Sequence, residues 1–133
     1  MAVAALALAL TTGCVRATAG SGSDQKAMDA ITSDIQATLA KRPDVVTAEV
    51  GYQNTLVASK RADVNVTVKS GVDFEPVIDE AVRLIWQSKL KPLSSINVGV
   101  IDEKDLQRGI NKILMPAQED KAELEGKYGP RPN

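Results

Sequence analysis

The sequence predicts an α+β domain built as a two-layer sandwich, with element order α-β-β-α-β, a three-stranded sheet in the order 2-1-3 and both helices on one face. Three observations carry that expectation. Apolar residues recur at helical spacing in two stretches and alternate with polar ones in three others. Aromatic residues are only 3% of the 133-residue chain, so the core has to be assembled from Val, Ile, Leu and Ala, which suits a small sheet covered by helices. The balance of 44% hydrophobic and 25% charged residues is that of a globular chain, and the length leaves room for one core.

The first helix begins near Asp24, where Met28, Ile31, Ile35 and Leu39 recur every three or four residues and Asp29, Ser33, Asp34 and Gln36 fall off that stripe. Ser23 or Asp24 can cap it, and Arg42-Pro43 ends it because the residue before proline is pushed out of the α region. Two strands follow. Val46, Ala48, Val50 and Tyr52 occupy one face of the first, with Thr47, Glu49 and Gly51 on the other. Ala62, Val64, Val66 and Val68 alternate with Asp63, Asn65, Thr67 and Lys69 in the second. The link between them is longer than a tight turn, so a hairpin with a wide loop is expected.

After Ser70-Gly71, Asp73 stands at an N-cap position with Pro76 in the first turn of a second helix, whose apolar stripe is Ile78, Ala81, Val82 and Ile85 and whose end is expected at Lys91-Pro92. Ile96, Val98 and Val100 alternate with Asn97 and Gly99 in a third strand that stops at Asp102-Glu103. A right-handed crossover through the second helix can set this strand beside the first, which gives the order 2-1-3. The segment 103–115 reads as a short helix through Leu106, Ile110, Ile113 and Leu114, and 116–133, rich in charge, Gly and Pro, as a mobile tail. The α+β domain itself is expected over 24–102.

The N-terminus has a different character. Residues 2–10 form an uncharged apolar run, shorter than the roughly 20 residues a membrane span needs and close to the apolar part of a secretory signal. The following Leu10-Thr11-Thr12-Gly13-Cys14 resembles the lipobox of bacterial lipoproteins, with Thr11 where that pattern usually holds a larger aliphatic residue. The resemblance implies a signal peptide over 1–13, acylation of Cys14, and a location on the outer side of the cell membrane, with 14–23 as a flexible Gly/Ser-rich tether. No Lys or Arg precedes the apolar run, so either the start codon lies upstream of Met1, the reading favoured, or the signal is atypical. Ala17-Thr18-Ala19 fits ordinary signal peptidase and keeps open a soluble secreted product cleaved after Ala19.

Element order is similar to that of the ring-building modules of secretion-system lipoproteins and of the cytoplasmic domains of cation-efflux transporters. The absence of histidine weighs against the metal-linked member of that pair. The stretch Ile85-Trp86-Gln87-Ser88-Lys89-Leu90-Lys91-Pro92-Leu93-Ser94-Ser95-Ile96 resembles small uncharacterised lipoproteins of actinobacterial envelopes, a likeness that implies no activity.

Composition narrows the chemistry. The formal charge is −1 and no basic stretch carries aromatics, so nucleic acid is not an expected partner. The single cysteine belongs to the leader and there is no histidine, which removes nucleophile–base pairs and the commonest metal ligand. No catalytic residue, cofactor or metal site is expected. Asp73, Glu75, Asp79 and Glu80 lie where carboxylates offset a helix dipole, and Asp102, Glu103 and Asp105 lack the spacing of a calcium loop. What remains is a surface. Trp86 is a candidate interface anchor or an aromatic packed at the core edge, and Thr47, Glu49, Asn65, Thr67 and Asn97 line the sheet face away from the helices. The expected function is therefore that of a non-enzymatic envelope lipoprotein whose domain binds a protein partner or itself, with a carrier of small apolar ligands or lipid as the alternative.

Overall fold

In a computed structural model of the chain, which describes residues 22–54 and 60–132, the helical stripe around Ile35 and Leu39 lies on α1 (Gly22–Ala40) and the two alternating runs form β1 (Val45–Gln53) and β2 (Arg61–Val68). Then come α2 (Phe74–Trp86), β3 (Ser95–Asp102), β4 (Gly109–Leu114) and α3 (Lys121–Tyr128). The signal sequence, Cys14 and most of the tether lie outside the described residues.

The alternation in β2 and β3 translates directly into burial. Ala62, Val64, Val66 and Val68 point into the core beside Ile96, Val98 and Val100, none of them more than 2% exposed. Each such aliphatic side chain contributes roughly 1.5–3 kcal/mol relative to exposure. Ile35 and Leu39 of α1 and Val77, Ile78, Ala81, Val82 and Ile85 of α2 close this core from above. Asp73 caps α2 as its position suggests, its carboxylate accepting from Glu75 N at 3.2 Å. The helix ends at Trp86, short of Lys91-Pro92. The Ser88 hydroxyl donates to Ile85 O at 2.6 Å and accepts from Leu90 N at 3.3 Å, which turns the chain so that Leu90 is buried.

The sheet corrects the expected topology. It has four strands in the order β1-β2-β3-β4, with β3 parallel to β2 and the other pairs antiparallel. The third strand lies beside the second, the strand from which α2 departs, as consecutive strands commonly do, and β1 stays at the edge. Gln36 of α1 accepts a hydrogen bond from Val50 N at 3.1 Å, and a bulge between Val45 and Thr47 distorts the ladder. The bulge also reverses one residue. Val45 is buried and Val46, expected inward, is 44% exposed.

The segment expected to be a short helix is a strand. Gly109 to Leu114 pair with β3 from Ile101↔Gly109 to Ile96↔Leu114. The hairpin is set by Asp102, which is 2% exposed. Its carboxylate accepts from Lys104 N at 2.9 Å, Asp105 N at 3.3 Å and Gly71 N at 3.1 Å, and pairs with Arg108 at 2.9 Å. Those bonds fold the turn back on β3 before a helical turn can form. Gly109 suits the return strand because a Cβ there would meet Ile101 Cγ2 at 3.0 Å and Val100 O at 3.2 Å.

The C-terminal region expected to be a mobile tail carries α3, held against α2. Leu124 is buried, Lys127 pairs with Asp79 at 2.7 Å, and the Tyr128 hydroxyl donates to Asp79. The Lys127 ammonium and the Tyr128 hydroxyl together hold the Asp79 carboxyl below its ordinary range. Trp86 Nε1 donates to Gly129 O at 2.7 Å, and Arg131 crosses the indole ring at 5.7 Å to donate to the carbonyls of Ser88 and Leu90. Polar side chains on α2 thus hold a segment whose own apolar content is low.

Candidate functional site

Helices cover one face of the sheet and leave the other open. Register places the residues of that open face in rows across the four strands: Thr47, Thr67, Ile101 and Gly109; Glu49, Asn65, Gly99 and Asn111; Gly51, Asp63, Asn97 and Ile113. Of the residues expected there, Thr47, Glu49, Asn65 and Thr67 come together around a shallow concavity of about 210 Å³ whose floor is Gly99 and whose apolar wall is Ile101. A Cβ on Gly99 would stand 3.1 Å from Asn65 Oδ1, so a larger residue there would displace the Asn65 amide, and 3.7 Å from Asn111 Oδ1. The rim offers hydroxyls, amides and a carboxylate, a set that exchanges hydrogen bonds with a polypeptide surface.

Asn97 lies on the same face but one row away. Its Nδ2 donates to Asp63 Oδ1 at 3.2 Å, and Asp63 is paired with Arg61 at 2.9 Å, so this row is tied up internally. Asn97 Oδ1 is buried without a hydrogen-bond partner.

Trp86 is not part of this surface. It is 1% exposed and sits between α2 and the C-terminal segment, so as an interface anchor it is corrected to a core residue. Its indole serves as the post to which Gly129 and Arg131 attach.

Four apolar residues missed as surface candidates complete the picture. Ile101, Ile110 and Ile113 are 38%, 41% and 60% exposed, and Leu106 at the hairpin turn is 74% exposed. All four lie on β3, β4 or the turn between them. Such a concentration on one side of a small domain is characteristic of a contact region. Reading 103–115 as helical hid it, and the run Ile110-Asn111-Lys112-Ile113-Leu114 shows no alternation of polar and apolar residues that would have marked a strand.

The carboxylates weighed for acid–base chemistry have structural duties or stand apart. Asp73 caps α2, Glu80 chelates Arg83 with bonds of 2.7–3.1 Å, and Asp79 binds α3. Asp102 is held as a carboxylate, below its ordinary range, first by the backbone N–H groups of Lys104 and Gly71 and then by Arg108. Between α2, β4 and α3 there is a cavity of about 20 Å³, lined by Glu75, Lys112, Glu123 and Lys127 among others, which is room for a single water. Among the described residues no helix is long and apolar enough to cross a membrane, and no group of acidic, Cys or His side chains is placed to hold a metal.

No family model matches the chain, and no curated protein matches it. Among solved structures, the type III secretion system protein EscJ of enteropathogenic E. coli is similar over 64% of this chain and 53% of that one, with 22% identity and a TM-score of 0.49. The chain thus spans about half the length of that structure.

Proposed function

We propose that this chain is a lipid-anchored protein of the cell envelope, outside the cytoplasm, whose α+β domain docks a protein partner or assembles with itself and performs no catalysis. The observation that supports it is the unequal treatment of the two sheet faces. One is sealed by α1 and α2; the other presents the polar concavity around Gly99, bordered by exposed Ile101 and Ile113. A face that sets hydrogen-bonding groups beside exposed apolar side chains can supply both the bonds and the buried area of a non-obligate protein interface. The leader and the lipobox-like Leu10-Thr11-Thr12-Gly13-Cys14 supply the location. A carrier of apolar ligands would need an apolar chamber between helices and sheet. Among the described residues, the cavity between α2, β4 and α3 admits one water and is ringed by charge, which favours docking over carriage.

Two measurements test this reading. The wild-type chain should fractionate with membranes and Cys14→Ala should move to the soluble fraction, with mass spectrometry showing an acylated Cys14 as the mature N-terminus. A photo-reactive amino acid placed at Thr67 should cross-link one defined protein in intact cells, and the same probe at Glu75 on α2 should not. An unmodified thiol on a cytosolic chain removes the location. Equal, diffuse cross-linking from both positions removes the docking face.

A further inference from the structure

Resting on the reading of this domain as an assembly module, we infer that its partner at the sheet edge is a second copy of the same chain, joined by antiparallel pairing of the two β4 strands. The two edges of the sheet are not equivalent. β1 is bulged and α1 has filled the outward Val50 N–H with Gln36. β4 carries neither device.

The direction of its free groups follows from one bond. Asp102 N donates to Arg108 O at 3.1 Å, which makes Asp102 and Arg108 a hydrogen-bonded pair of the β3–β4 ladder. Antiparallel strands alternate such pairs, so Ile110, Lys112 and Leu114 bond to β3, while Gly109, Asn111 and Ile113 aim their N–H and C=O groups away from the sheet. With only one edge available, copies cannot join head to tail into a chain. They close as a two-fold pair.

The side chains single out one register. When Asn111 faces Asn111 of the other copy, the two amides can exchange hydrogen bonds, and Ile113 falls opposite the other copy's Gly109. Next to that glycine stands Ile101, directly across from it in the sheet. The two isoleucines, both exposed in the single chain, then close over the glycine between them. On the opposite face Lys112 falls opposite Ile110, where its aliphatic stem covers apolar surface. A shift of the pairing by one hydrogen-bonded step toward Leu114 sets Lys112 against Lys112, which charge repulsion opposes. A shift the other way sets Ile110 against Ile110 but places Asn111 opposite Gly109 and Ile113 opposite Gln107, which loses the amide exchange and the closure over Gly109; the alignment centred on Asn111 is the one that keeps both. Membrane tethering raises the effective concentration of copies, so a modest contact suffices.

The test uses the full chain carrying Cys14→Ala, which has no other thiol. It should sediment as a reversible dimer. Asn111→Pro deletes only an outward N–H and should weaken dimerisation by about tenfold or more while the circular dichroism stays unchanged. Asn111→Asp alters no backbone, sets two carboxylates face to face, and should weaken the dimer in a way that added salt partly restores. Under mild oxidation Asn111→Cys should give a disulfide-linked dimer, because facing Cα atoms of a hydrogen-bonded pair lie about 5.5 Å apart; Thr67→Cys should not. A chain that stays monomeric at hundreds of micromolar, or a dimer that both Asn111→Pro and Asn111→Asp leave intact, overturns the pairing. If the chain is monomeric and the Thr67 probe still captures one defined protein, the docking reading stands and the β4 pairing alone fails.

Discussion

Trp86→Ala is expected to destabilise the domain by roughly 3–5 kcal/mol, a large share of the stability of a chain this size. The indole is 1% exposed and is the largest of the fully buried side chains, so its removal opens a cavity that the surrounding aliphatic side chains fill only in part. A second loss is specific to this residue. Nε1 holds Gly129 O at 2.7 Å and Arg131 lies across the ring, so without the indole the C-terminal segment keeps mainly its Asp79 contacts and the burial of Leu124. Trp86→Phe separates the two effects. It retains most of the apolar volume, gives up the hydrogen bond and should cost considerably less than alanine, with the bond itself contributing about 1 kcal/mol. Chemical denaturation of the three proteins measures both numbers. A Trp86→Ala protein as stable as wild type would mean that the tail's attachment contributes nothing to the fold.

The second large effect is expected at Asp102. This carboxylate, at the end of β3, ties the β3–β4 hairpin through Lys104, Asp105 and Arg108 to the turn at Gly71 before α2, 31 residues away. Asp102→Ala leaves three backbone N–H donors and a guanidinium without their acceptor, and should lower the thermal midpoint by about 10 °C or more. The same group gives the domain a pH dependence of definite sign. Its folded carboxyl is acidified relative to the unfolded chain, so the stabilisation is fully present above about pH 4 and is lost as the pH falls through the folded value. Thermal midpoints between pH 7 and pH 3 should therefore fall in the wild type and fall less in Asp102→Ala. Parallel pH profiles for the two proteins would remove Asp102 as the source.

Legibility in the sequence followed the locality of the cause. The second and third strands were readable because Val64, Val66, Val68 and Ile96, Val98, Val100 alternate strictly with polar residues, and the second helix because Asp73 and Pro76 announce its start. Three features were set by particular partners rather than by periodicity, and hydrophobic pattern is silent about those. The sheet order depends on which strand β3 pairs with, and the alternation within β3 reads the same beside β1 as beside β2. β4 depends on Asp102 gathering its turn, and without that anchor Leu106, Ile110, Ile113 and Leu114 fit a helical stripe equally well. Order in the tail depends on Trp86, Asp79 and the carbonyls of Ser88 and Leu90, all on or just after α2. The open face was legible in its polar members, since alternation alone assigns Thr47, Glu49, Asn65, Thr67 and Asn97 to one side. Its apolar border was not, because half of it belongs to the strand that sequence patterning concealed.

The attachment of the C-terminal segment to an indole has a practical consequence. Trp86 is the chain's sole tryptophan, and its surroundings are apolar on the α2 side and formed by Gly129 and Arg131 on the other. Intrinsic fluorescence excited at the indole therefore reports one event, the seating of the last few residues, with no background from other chromophores of its kind. Release of that segment admits solvent to the ring and shifts its emission to the red while far-ultraviolet signals from the sheet persist, so undocking of the terminus and global unfolding are optically separable in a single unlabelled sample.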